Sequence, residues 1–263
     1  MIVYVCNAFA NENEEIRITR RNDYLEGVTQ TWIIKSWASR SRTRVCVKRI
    51  GAVQKNLSKI FAADVAQKSV VRILILKDQR SFLKYSEENL GETYYGAGYW
   101  SSKENTVVVC DDQDIHSTLR ILSHELTHYY IDRTFSRLPL WLNEGLCEYI
   151  SINPIRWGKL KGDYPSQVHL KRILQAAQAK ALISIPRLVG LQSYLEGHER
   201  GLQYAQCWGL VYFFFHGMEG KYAPRFIDYI AALKARPETR FEDFFDLNEI
   251  ETLWIRYFKG LRS

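Results

Sequence analysis

The stretch Ser123-His124-Glu125-Leu126-Thr127-His128 places two imidazoles four residues apart with a carboxylate between them. Apolar residues around it (Leu119, Ile121, Leu122, Leu126) recur at helical intervals, so His124 and His128 fall on one helix face about one turn apart. That is the reach two imidazoles need to bind one ion. Zinc takes four tetrahedral ligands; a catalytic site draws three from protein and leaves the fourth to water, and His, His and a carboxylate is a recurring set. Glu144, inside Trp141-Leu142-Asn143-Glu144-Gly145, is the expected third ligand. Glu125 follows His124 by one residue, a turn of about 100° that points its side chain off the metal and toward the bound water. It is the candidate general base.

The segment that carries Glu144 has helical features of its own. Pro139 marks a helix start, Leu138, Leu140, Leu142, Leu146 and Ile150 make an apolar face, and Glu144 and Glu148 stand four apart on one side. Two helices, each with a paired ligand-type face, are harder to reach by chance than a lone pair of histidines finishing an amphipathic helix.

From Leu119 to Ile150 the chain resembles the gluzincin metallopeptidases, the group with thermolysin and the aminopeptidase N type enzymes, and most closely the peptidase MA-like domains. The phrase Leu138-Pro139-Leu140-Trp141-Leu142-Asn143-Glu144-Gly145-Leu146-Cys147-Glu148-Tyr149 is similar to that family's second zinc segment. The resemblance implies one Zn2+ per chain, held by His124, His128 and Glu144. It also implies that Glu148 orients a zinc-bound histidine by accepting the N–H on the nitrogen that the metal leaves free. Asp132, one turn past His128, could do the same. In the aminopeptidase-like branch a tyrosine roughly sixty residues after the glutamate ligand stabilises the oxyanion. Tyr204 stands at that distance; His198 is the second choice, and Tyr129 and Tyr130 are read as packing. The family also pairs an extended substrate with an edge strand just before the zinc helix. That implies backbone contacts at Gly96, Ala97, Gly98 and Tyr99, where glycine lets a peptide approach closely. An ordinary hairpin with aromatic packing is the alternative there.

These residues need a scaffold. Val70–Leu76 and Thr106–Cys110 are apolar, branched runs suited to buried strands, Val28–Trp37 reads as an early strand, and Val45–Ala63 has the spacing of an amphipathic helix. After the site, Leu170–Leu182, Ala205–His216, Pro224–Lys234 and Glu249–Leu261 read as helices. The expected class is α+β. Residues 1–118 supply the sheet portion and residues 119–263 the zinc-site helices and a mostly helical C-terminal lobe, all in one compact catalytic unit. The resemblance implies a zincin-like form of that arrangement, with the site at the seam.

Net charge is +7, with a basic cluster at Lys35, Arg40, Arg42, Arg44, Lys48 and Arg49, read as a solvated helix start; no nucleic-acid motif accompanies it and no nucleic-acid partner is expected. Five cysteines (Cys6, Cys46, Cys110, Cys147, Cys207) are widely spaced, odd in number and without a metal-type pair, which argues against a disulfide framework or cysteine-based zinc knuckle; Cys147, three residues after Glu144, is read as a small buried residue rather than a group that approaches the metal. No stretch is long and apolar enough to span a membrane. Met1–Ala10 ends in a small-x-small pattern before polar Asn11–Glu15, like the tail of a secretory signal but without a basic start, so the reading leans to export over a cytoplasmic first strand. The expected activity is zinc-dependent hydrolysis of a peptide or protein substrate. A silent peptidase-like domain that binds peptides or cell-envelope components is the alternative, and a basic nucleic-acid-associated protein is a third reading resting on charge alone. Oligomeric state is left open.

Overall fold

The structure, a computed structural model, describes residues 16–61, 70–91, 94, 96–111, 114–152, 155–156, 159–160 and 166–261. The expectation for Met1–Ala10 lies outside these residues. The chain opens as an antiparallel meander, β1 (Thr19–Arg20), β2 (Leu25–Val28) and β3 (Trp32–Ser36). The single strand expected over Val28–Trp37 is therefore the end of β2, a turn, and β3. Thr29 makes the turn, its hydroxyl accepting the Trp32 N–H at 3.0 Å.

Helix α1 (Arg40–Ile60) carries the chain back so that β4 (Val71–Leu76) lies parallel to β3. It starts five residues before the expected Val45 because Ser39 caps it, its side chain accepting from the Arg42 N–H. Two of the basic residues at this start are tethered: the Arg42 guanidinium pairs with Asp111 at 2.6 Å and Arg40 donates to the Ile18 carbonyl at 3.0 Å. Helix α2 (Gln79–Leu90), capped by Asp78, leads to β5 (Gly98–Ser101) and β6 (Thr106–Cys110). Strand β6 runs parallel to β4, and β5 lies antiparallel outside it, giving the sheet order β1-β2-β3-β4-β6-β5.

Period-two alternation sends Ile34, Ile73, Ile75, Val107 and Val109 to one face, in a core with Ile50 and Val53 of α1 and Leu122 and Leu126 of α3 (Ile115–Thr134). Leu74, Leu76 and Val108 face the other way with Phe82 of α2 and Tyr99. A shallow cavity of about 250 Å³ on that second face is lined by Ile33, Lys35, Trp37, Arg72, Leu74 and Tyr85. It lies across the sheet from α3.

Among the described residues, the regular elements after β6 are helices apart from the short pair β7 (Ile155–Arg156) and β8 (Lys159–Leu160). Helices α3, α4 (Leu140–Ile152), α5 (Gln167–Gln178), α6 (Ile185–Gly190), α7 (Gly197–His216), α8 (Ala223–Ala235) and α9 (Leu247–Gly260) follow in turn. Helix α6 has no expected counterpart, because six residues are too few to show a period. Helix α7 starts eight residues before Ala205, its first two turns being too polar for the apolar spacing to register. The class is α+β, a mixed sheet followed by a mostly helical part, with one hydrophobic core running from Ile18 to Phe258. Among the described residues no helix is long and apolar enough to cross a membrane.

Helices α4 and α7 meet at Gly145, where an added Cβ would lie 2.6 Å from the Cys207 carbonyl oxygen and 2.7 Å from a Val211 methyl. The first obstacle is backbone and cannot rotate away. Gly145→Ala should lower stability to denaturant by about 1–3 kcal/mol through overpacking. Gly51→Ala, at an exposed position of α1 where nothing lies within 4 Å of the new methyl, should raise it by about 0.5–1 kcal/mol. Equal effects at the two positions would refute the packing argument.

Candidate metal centre

Helix α3 presents its polar residues in two ways. Ser123 and Thr127 are buried and return their hydroxyls to the Leu119 and Ser123 carbonyls at 2.7 Å, so they add no unpaired group to the core. His124 and His128 point toward α4 instead. The His124 Nδ1 lies 3.2 Å from Glu148 Oε1, and the His128 Nδ1 lies 2.9 Å from Asn143 Oδ1. Both acceptors can only accept, so each ring donates from Nδ1 and turns Nε2 to the other side.

The two Nε2 atoms converge, 3.1 Å apart. Glu144 presents one carboxylate oxygen to each, with Oε2 at 3.4 Å from His124 Nε2 and Oε1 at 3.7 Å from His128 Nε2. Ligands about 2.0–2.2 Å from a tetrahedral ion stand about 3.3–3.5 Å from one another, and the three separations bracket that value. Glu144 Oε2 is buried without a hydrogen-bond partner. A buried carboxylate oxygen left unpaired beside two converging imidazole nitrogens is the donor set a divalent cation fits.

The electrostatics divide the carboxylates into two kinds. Burial alone would push Glu144 and Glu148 up, but the adjoining His124, with His128 and the Tyr194 hydroxyl at Glu144 and His169 at Glu148, reverses it and holds both below the usual carboxylate range. At Glu125 burial wins: its carboxyl is raised despite His124, His128 and a hydrogen bond from the Trp100 backbone N–H. His124 is raised well above its ordinary value, the hydrogen bonds to Glu144 and Glu148 outweighing burial.

Strand β5 lies directly over Glu125. The Cys110 N–H donates to the Ala97 carbonyl at 2.8 Å, which in an antiparallel ladder makes Tyr99 and Val108 the next bonded pair. The backbone groups of Gly98 and Trp100 therefore face the open edge. A Cβ on Gly98 would sit 2.3 Å from an Ile121 methyl and 3.3 Å from the Glu125 Cγ, so the strand passes this close only as glycine. Of the four residues expected to meet substrate backbone, Gly98 alone turns its backbone groups to the open edge of β5; Ala97 and Tyr99 are paired with β6, and Gly96 precedes the strand.

Other expected residues are placed as follows. Glu148 bonds His124, the partner type expected of it. Asp132 does not serve His128: its carboxylate accepts the Trp100 indole N–H at 2.6 Å, while Asn143 takes the histidine. The ring of Tyr204 is 6.4 Å from that of His124, and its hydroxyl makes no hydrogen bond among the described residues. His198 is exposed at the start of α7. Tyr129 and Tyr130 are buried in the core. Cys147 is buried, with Sγ 3.3 Å from His128 Nδ1, and His124, His128 and Cys147 each offer a donor atom within 4.8 Å of one another. The sulfur lies on the Nδ1 flank of His128, the side turned away from the converging Nε2 atoms, and burial with the nearby carboxylates raises its thiol.

Three residues at the centre were not anticipated. The Tyr194 hydroxyl donates to Glu144 Oε1 at 2.6 Å, and its ring stacks on Tyr204 with centroids 6.0 Å apart. It comes from a loop, where no periodicity marks a residue. Asn143 could have been found, as a polar residue beside the ligand in an otherwise apolar helix start. His169 reaches Glu148 from α5. No protein-family model matches the chain, and no curated protein shows significant similarity to it.

Tyr194 supplies the short donor to Glu144. Tyr194→Phe should lower the unfolding free energy of the metal-free protein by about 1.5 kcal/mol, the low end for a charged acceptor because the tyrosine is part exposed. Tyr204→Phe, which breaks no bond among the described residues, should stay within about 0.5 kcal/mol of wild type. Denaturant unfolding of both variants measures the difference.

Proposed function

We propose that the chain is a zinc-dependent peptide hydrolase of the gluzincin type, with a zincin-like arrangement of edge strand, metal helix and second ligand helix. The observation that carries this reading is the convergence of His124 Nε2, His128 Nε2 and Glu144 at 3.1–3.7 Å, with Glu125 held separately beneath the open edge of β5. His124, His128 and Glu144 would hold the ion. Bound there, zinc acidifies its water and polarises a carbonyl.

The protein's own groups perform the remaining tasks. Glu125, a carboxyl raised by burial, takes a proton from water and passes it to the leaving amine. Gly98 and the Trp100 carbonyl offer outward backbone groups to an extended peptide, while the Trp100 N–H is given to the Glu125 carboxylate. Tyr204 and Tyr194 both have phenols pushed up by burial and by Glu144, so both remain protonated donors at neutral pH. Tyr204 is the oxyanion donor in this reading, since the Tyr194 hydroxyl is already given to Glu144.

Zinc titration followed by peptide-library digestion read by mass spectrometry tests the reading. Wild type should bind about one zinc per chain, and His124→Ala, His128→Ala or Glu144→Ala should each lose most of it. Full zinc retention in all three would overturn the centre. Glu125→Gln should keep zinc and lose about three or more orders of magnitude in rate. Tyr204→Phe should keep zinc and slow cleavage about a hundredfold. Tight zinc binding with no cleavage of any peptide would favour a domain that binds peptides without cutting them.

A further inference from the structure

The Glu148 carboxylate is shared. Its Oε1 accepts from His124 Nδ1 at 3.2 Å, and its Oε2 accepts from His169 Nε2 at 2.9 Å. Arg120 Nη1 also approaches Oε2, at 3.8 Å, but from a side chain half exposed, where solvent screens its pull. His169 is buried, and its ring packs against Trp208 of α7 with centroids 5.4 Å apart. The backbone holding it is fixed by a cap: Ser166 Oγ accepts the His169 N–H at 3.3 Å, setting His169 in the first turn of α5. Its Nδ1 is buried and has no hydrogen-bond partner, so the donation to Glu148 is the one polar task this ring performs among the described residues.

We infer that His169 is a positioning residue of the metal centre, acting through Glu148 to hold His124 in the orientation that presents Nε2 to the ion. The inference rests on the proposed zinc site. A carboxylate with one oxygen tied can rotate about its terminal bond; with both oxygens tied by rigid rings it cannot. Glu148 held at Oε2 by His169 therefore offers Oε1 at one angle, and His124 Nδ1–H must take it. The same chain of contacts makes α5 part of the centre. Helices α3, α4 and α5 are joined at Glu148, with α7 packed behind His169.

Two substitutions separate positioning from packing. His169→Phe keeps a ring against Trp208 and removes the donor, whereas His169→Gln keeps a donor near the Nε2 position and removes the ring. Zinc affinity, measured by competition with a chromogenic chelator, should fall about 10–100-fold in His169→Phe and stay within about threefold of wild type in His169→Gln. The reverse order would show that His169 is a packing residue and overturn the inference, as would wild-type affinity in both. In a Glu148→Leu background, His169→Phe should cause no further loss; an undiminished loss there would mean that it does not act through Glu148. A wild-type protein that binds no zinc would remove the centre itself, an outcome read from the first titration before any variant is compared.

Discussion

Two carboxylates on the same side of a helix buried along nearly its whole length are the constraint that the rest of the structure must meet. From Glu144 to Ser151 every residue of α4 is buried. A carboxylate withdrawn from water without partners costs several kcal/mol, so donors must be brought to it from elsewhere in the chain. Glu144 and Glu148 draw His124, His128 and Arg120 from α3, His169 from α5, and Tyr194 from the loop before α7. Gly145, between the two acids, lets α7 close against the same helix. Fold and candidate site are thus one arrangement: the contacts that neutralise α4 are those that bring His124, His128 and Glu144 together.

Glu125 belongs to a different regime only a few ångströms away. It is also buried, but it receives a single backbone hydrogen bond in place of paired imidazoles, and its carboxyl moves up where the other two move down. Carboxylates pushed apart in this way can take separate roles, two holding charge and one exchanging a proton. The close approach that buries Glu125 depends on Gly98, since a Cβ there would clash with Ile121 and crowd Glu125.

Much of this was legible in the sequence, for reasons that also explain what was not. His124, Glu125, His128, Glu144 and Glu148 lie on two helices with strong periods, so their spacing reported their faces. Strand β6 was readable to its ends because every residue in it is buried and most are β-branched. Tyr194 and His169 were invisible: they reach the centre by tertiary packing from a loop and from a distant helix start, and no local pattern records that. Asp132 was misread because helical spacing gives a residue's face but not its competitors, and Trp100, from a strand, claimed it. Strands β2 and β3 were merged because an apolar run does not show a turn whose stabiliser is one threonine hydroxyl.

Both borders of the sheet are short, two residues at β1 and four at β5. Unpaired backbone at a sheet border is a template on which other chains can add, and a long, flat one invites aggregation. Here the larger border is confined to Gly98–Ser101, with one of its outward N–H groups already taken by Glu125 and its tryptophan pinned to Asp132. The strand that passes over Glu125 is thus also the one that limits this border of the sheet. Lengthening β5 would enlarge that unpaired border, and with it the surface on which another chain could add.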